Sequence, residues 1–218
     1  MRRPREALRS MIVTAAACAA AACVQELSDH RPDGDVRSPD AAADAAGPAG
    51  CRDVQLLGNG GFDDAPLSVG WTARSNVADD YIVTGTEGFD APAAHSAPNK
   101  AYFGGLDGVD ESLYQSVVVP AGTTRLVLTG QYQVRTSERV RGVFDEAWLE
   151  LTVVGGASEE LERWSNSDAT TSWTSFSRTI GQPHAGEVLR VELRAVTDAQ
   201  RWSSFLFDSL ALTATVCS

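Results

Sequence analysis

Apolar and polar side chains alternate with a period of two along much of the chain beyond residue 110. The clearest runs are LYQSVVV (113–119), TRLVLTGQYQV (124–134), AWLELTVV (147–154), TSFSRTI (174–180), VLRVELRAV (188–196) and SFLFDSLALTATV (204–216). All are rich in β-branched, leucine or aromatic residues, and turn signals separate them. PAGTT (120–124) reads as a turn, GGASEE (155–160) as a hairpin connection and HAGE (184–187) as another turn. Nothing of 12 or more residues repeats at 3.6 with caps. Strands at this spacing, with no helices between them, predict an all-β domain of two packed antiparallel sheets.

The same alternation assigns faces. Ala147, Leu149, Leu151 and Val153 are expected inside, with Glu146, Trp148, Glu150 and Thr152 outside. Leu126, Leu128, Tyr132 and Val134 are core candidates, against Arg125, Thr129, Gln131, Gln133 and Arg135. Leu189, Val191, Leu193 and Ala195 point in, and Arg190, Glu192 and Arg194 point out. The outward rows mix long polar side chains with an aromatic. Such rows suit a solvated binding face, and they suit an ordinary charged sheet surface.

Before residue 51 the pattern is different. MRRPREALRS carries Arg2, Arg3, Arg5 and Arg9, and the uncharged run MIVTAAACAAAA follows it. That is the n-region and h-region of a secretory signal over 1–22, too short to remain as a membrane span. Small residues before Cys23 resemble the lipobox of bacterial lipoproteins, in which the cysteine is lipidated and becomes the mature N-terminus. Cys18 has a similar setting, both sites lack the preferred leucine, and ordinary secretion is a rival. Cys23 gives the longer h-region and leaves an even pair of cysteines, Cys51 and Cys217. Val24 in place of an aspartate implies, by that resemblance, the outer membrane. Residues 23–50 are rich in Asp, Ala, Pro and Gly and cannot bury enough apolar area to offset the entropy of ordering, so they read as a disordered tether. His30 within it has no partner at metal-ligand spacing.

Residues 51–217 suffice for one domain with its own core. Three stretches of it resemble galactose-binding-like jelly rolls, especially the carbohydrate-binding-module-like domains of bacterial secreted enzymes. LLGNGGFDDAPLSVGW (56–71) resembles the family's opening, KAYFGGLDGVDESLYQSVVVPAG (100–122) its middle, and SSFLFDSLALTA (203–214) its closing strand. The resemblance implies a jelly-roll sandwich. It also implies a structural Ca²⁺ held by Asp63 and Asp208, although Asp63 is shorter than the usual Glu and Ser209 replaces a second Asp. Hard oxygen ligands suit that ion. The family fold sets the first and last strands side by side, which implies a Cys51–Cys217 disulfide. Such a bridge would stabilise by roughly 4–5 kcal/mol in the chain-entropy model.

Chemistry is sparse. The domain has no HExxH, GxSxG, P-loop or dinucleotide fingerprint. His95 and His184 sit in no motif, and the two cysteines are better read as a bridge than as nucleophiles. The expectation is therefore a non-enzyme. Of the five tryptophans, Trp71 belongs to a Gly-Trp element of the core, while Trp148, Trp164, Trp173 and Trp202 are ligand-binding candidates. Aromatic faces stack on the apolar faces of sugar rings, so glycan is the expected ligand. Another surface protein is the alternative partner. A net charge of −11 repels nucleic acid and anionic lipid heads at long range, so neither is an expected partner. Membrane contact is expected only through the N-terminal lipid.

Overall fold

The computed structural model describes residues 50–78, 82–85 and 92–218. The expectations for the signal, Cys18, Cys23, His30 and nearly all of the tether lie outside the described residues. Within them, strands run in the order β1 (Cys51–Gln55), β2 (Thr72–Ser75), β3 (Val83–Thr84), β4 (Lys100–Gly104), β5 (Asp110–Val118) and β6 (Thr123–Thr136). Then come β7 (Glu146–Val153), β8 (Ser158–Ser165), β9 (Thr174–Ile180), β10 (Val188–Val196) and β11 (Ser203–Cys217). A six-stranded sheet has the order β3-β4-β11-β6-β9, with β1 also paired to β11. A five-stranded sheet has the order β2-β5-β10-β7-β8. Both sheets are antiparallel.

The core between them follows the alternation. Leu189, Val191, Leu193 and Ala195 of β10 are fully buried, as are Ala147 and Leu149 of β7 and Leu126, Leu128 and Val134 of β6. Each buried Val or Leu contributes roughly 1.5–3 kcal/mol of apolar burial. Phe103, Phe205 and Phe207 extend the core on the six-stranded sheet alongside the β6 residues, with Phe103 and Phe207 edge to face at 5.8 Å.

One strand departs from the sequence expectation. GGASEE was expected as connection, yet Ser158–Ser165 forms β8 at an edge of the five-stranded sheet. Its sequence, SEELERWS, lacks the apolar alternation because much of it is exposed. Charged residues on an edge also discourage pairing with another chain.

Strand β11 keeps one sheet by means of a bulge. Phe205 and Phe207 face the core, and so do Leu210, Leu212 and Ala214, so the inward phase changes from odd to even numbers. The register with β6 shifts between Asp208 and Ala211, and Ser209 there takes a φ of 53°. The extra residue of a bulge produces this change of phase. The loop after β1 docks on the bulge: the Leu210 N–H donates to the Gly60 carbonyl at 2.8 Å. Gln115 holds the start and end of this loop, accepting from the Gly58 N–H and donating to the Gly58 and Gly70 carbonyls.

Cys51 and Cys217 are register partners on β1 and β11. They form a disulfide with a Cα–Cα distance of 4.1 Å.

Candidate functional site

The outward side chains of the five-stranded sheet form cross-strand rows. One row reads Arg74, Ser112, Arg194, Trp148, Arg163 from β2 to β8. The next reads Thr72, Tyr114, Glu192, Glu150, Glu160. Three guanidiniums thus lie beside three carboxylates, with one aromatic ring in each row.

Between them is a groove of about 480 Å³, whose lining includes Arg74, Ser112, Trp148, Glu150, Arg190 and Arg194. Trp148 is half-buried. The Arg163 guanidinium lies 5.0 Å from the Trp148 ring centroid and that of Arg194 5.4 Å away. Tyr114 is covered in the same way by Arg190 at 4.4 Å and Arg74 at 5.4 Å. Such cation–π contacts are worth roughly 0.5–1 kcal/mol at exposed sites, and here they hold the rings and the cations in fixed relative positions.

Carboxylates fix the arginines from the other side. Arg194 donates through Nε and Nη2 to both oxygens of Asp110, at 2.8–3.1 Å. The hydrogen bonds to Asp110 hold the Arg194 guanidinium above its ordinary range, against the opposing effect of burial. Arg163 pairs with Glu160 and, at 3.1 Å, with Glu146, and these bonds raise it likewise. The hydrogen bond from Arg163 lowers Glu160. Arg190 pairs with Glu192. A face of this kind offers donors, acceptors and an aromatic surface side by side, which matches the hydroxyls and apolar C–H faces of a saccharide.

The four tryptophan candidates separate in the structure. Trp148 lies on this face. Trp164 is a correction: it is 3% exposed and packs against Tyr132, Phe176 and Phe207 with centroids 4.9–5.4 Å apart. Strand β8 turns it inward, opposite Ala147, so no ligand can stack on it. Trp173 precedes β9 of the other sheet, is half-buried and donates Nε1–H to the Ala93 carbonyl at 3.0 Å. Trp202 is half-buried just before β11, where its carbonyl accepts from the Ser137 N–H and Oγ–H. Trp71 is core, as expected, with Nε1–H donating to the Asn59 carbonyl. Only Trp148 of the candidates is on the groove. Its aromatic companion Tyr114 was not singled out in the sequence, although it is the outward residue in the Leu113–Tyr114–Gln115 alternation.

Asp63 and Asp208 are engaged by donors. Asp63 Oδ1 accepts from the Asn99 N–H at 2.8 Å. Asp208 Oδ2 accepts from the Ser96 N–H, and Oδ1 from the Ser96 hydroxyl and the Ser209 N–H. Burial pushes the Asp208 carboxyl above its ordinary range, partly offset by those bonds. Among the described residues no three His, Cys, Asp or Glu side chains gather as a metal group.

No protein-family model and no curated protein sequence matches the chain. Solved structures do. A family 61 carbohydrate-binding module in complex with β-1,4-galactotriose superposes with a TM-score of 0.51 and 17% identity, over 73% of this chain and 97% of that one. An arabinose-bound family 51 α-L-arabinofuranosidase overlaps with a TM-score of 0.47 and 15% identity, over 73% of this chain and 26% of the enzyme. A family 11 module from Clostridium thermocellum, in complex with a β-1,3-1,4-mixed-linked tetrasaccharide, overlaps with a TM-score of 0.39 and 12% identity, over 76% of this chain and 96% of that one. The described domain has the two-sheet β-sandwich fold found in carbohydrate-binding modules.

Proposed function

We propose that the chain is a non-catalytic glycan-binding module, exported and held at the outer membrane through lipid on Cys23. The observation that carries the binding reading is the groove over the five-stranded sheet, where Trp148 lies among fixed charged partners. The fold shared with a galactotriose-binding module supports it. Polysaccharide stacked on Trp148 would displace one of the guanidiniums over its ring and change the indole fluorescence. Titration with a panel of soluble polysaccharides tests this: a saturable change that is lost in Trp148→Ala is expected. A panel with no saturable response overturns the glycan reading. Release of reducing sugar during the same incubations would overturn the non-catalytic part. Mass spectrometry of the mature N-terminus tests the anchor, with a diacylglyceryl or triacyl adduct on Cys23 expected.

One observation favours a second reading, a protein partner on the same face. Val118 and Val188 pair at one end of it, with Val154 next to them through a hydrogen bond to the Val188 carbonyl. Val118 is 67% exposed and Val154 58%. A Val118→Lys, Val154→Lys variant with unchanged polysaccharide titration would leave the sugar reading intact and assign the valines elsewhere.

A further inference from the structure

Two of the groove's arginines, Arg74 and Arg190, are held by fewer carboxylate bonds than Arg194. Arg194 is engaged by Asp110 through two of its nitrogens, and Arg163 by Glu146 and Glu160. Arg74 is exposed and, among the described residues, has no carboxylate partner; its one recorded interaction is with the Tyr114 ring. Arg190 uses Nη2 on Glu192, while its Nε is buried without an acceptor. Both guanidiniums lie over the same ring, at 5.4 and 4.4 Å from its centroid. An arginine stays protonated at any working pH and presents five N–H donors in a planar fork. Two such forks beside one ring repel each other and leave a surplus of donors. Ser112 and Ser116 flank Tyr114 on the same face of β5, and their short side chains leave room above the strand.

We infer that the end of the groove lined by Arg74 and Arg190, beside Tyr114, takes the carboxylate of an acidic sugar, so that the ligand is a uronic acid-containing polysaccharide. This rests on the glycan reading above. A sugar hydroxyl accepts one hydrogen bond from a guanidinium. A carboxylate accepts two in parallel and carries the compensating charge, which makes it the stronger and more geometrically selective partner. It would place a compensating anion beside the two cations. Trp148, further along the groove, would meet a neighbouring ring of the same polymer. The chain's net charge of −11 opposes a polyanion at long range, but the attraction is local, and salt at about 0.1 M limits the long-range term to roughly 10 Å.

The test compares three polymers at about 0.1 M salt by isothermal titration calorimetry: polygalacturonate, its methyl ester and neutral β-1,4-galactan. Polygalacturonate is expected to bind at least about ten-fold more tightly than the other two, since each charge-assisted bond exceeds a neutral one. Arg74→Gln, at an exposed position, is expected to remove most of that difference. Arg190→Gln should do the same, with an unchanged melting temperature as the check on folding. Methyl ester or galactan binding as tightly as polygalacturonate overturns the acidic class and leaves the glycan reading standing. An Arg74→Gln variant that keeps full preference for the acid overturns the assigned subsite. Failure of all three polymers overturns the acidic-sugar assignment, while the glycan reading falls only if the wider polysaccharide panel also gives no saturable response.

Discussion

Two tryptophans sixteen positions apart carry opposite roles, and their substitutions should separate binding from stability. Trp164 is surrounded by Tyr132, Phe176 and Phe207, so Trp164→Ala leaves a cavity. The expected cost is about 3–5 kcal/mol in urea denaturation. Trp148 is half-buried and held by arginines on the outer face. Trp148→Ala should cost only about 1 kcal/mol of stability but more than about 2 kcal/mol of polysaccharide binding, if it is the anchor of the groove. Equal stability losses in the two variants would remove the distinction. At Asp208, burial raises the carboxyl against the lowering by Ser96 and Ser209. The folded state therefore holds the proton more tightly than the unfolded chain does. That contribution is full below the ordinary value of 3.8 and is lost as pH rises through the folded value. Asp208→Asn also turns an N–H donor toward the Ser96 or Ser209 donors, at a cost of about 1–3 kcal/mol. Its penalty, measured by urea denaturation, should be larger near pH 3 than near pH 7. The reverse trend would show that the charged form is the one stabilised by folding.

At the scale of elements, the alternation was a faithful guide wherever one face of a strand met the core. For β5, β6, β7, β9, β10 and β11 the period-two runs coincide with the strands to within a few residues. It failed for β8, because an edge strand with exposed glutamates has no reason to alternate. Without β8 in view, the sequence leaves Trp164 a ligand candidate, whereas the strand turns it inward. The bulge in β11 was also illegible: a change of inward phase from Phe207 to Leu210 looks in sequence like a continuous apolar run. Its structural requirement is testable at Gly60. A Cβ there would come within 1.8 Å of the Leu210 carbonyl oxygen, which is backbone and cannot rotate away. Gly60→Ala should therefore cost more than about 2 kcal/mol, well beyond the usual effect of a loop substitution. A melting temperature within a degree or two of the parent would mean that the loop does not dock on the bulge.

For the whole molecule, two sheets of different chemistry face outward. The five-stranded sheet presents paired arginines and carboxylates around Trp148 and Tyr114. The six-stranded sheet and its loops hold Trp173, Trp202 and the donor-engaged Asp208. The sequence carried the outward direction of Trp148, Arg190, Glu192 and Arg194, because direction is local. It could not carry their grouping, because Arg74, Tyr114, Arg190 and Trp148 come from four strands that pair out of chain order. The cysteines are where sequence and topology met most directly, since both the ends of the sandwich and the neighbouring of β1 and β11 were implied by the jelly-roll resemblance. Their bridge spans 166 positions, and closing a loop of that length in the unfolded chain corresponds to about 5 kcal/mol in the chain-entropy model. Strand β1 is the part that depends on it most. It is half-exposed along its length and pairs with β11 alone, so it has little burial of its own. A Cys51→Ser, Cys217→Ser variant should therefore lose stability by several kcal/mol. Hydrogen exchange should show faster exchange in β1, with β6 and β10 still the slowest strands. The groove lies on the sheet that β1 does not join, so polysaccharide affinity of the folded variant should match the parent. Loss of affinity together with retained protection of β10 would mean that the disulfide supports the binding face and not only the ends of the fold.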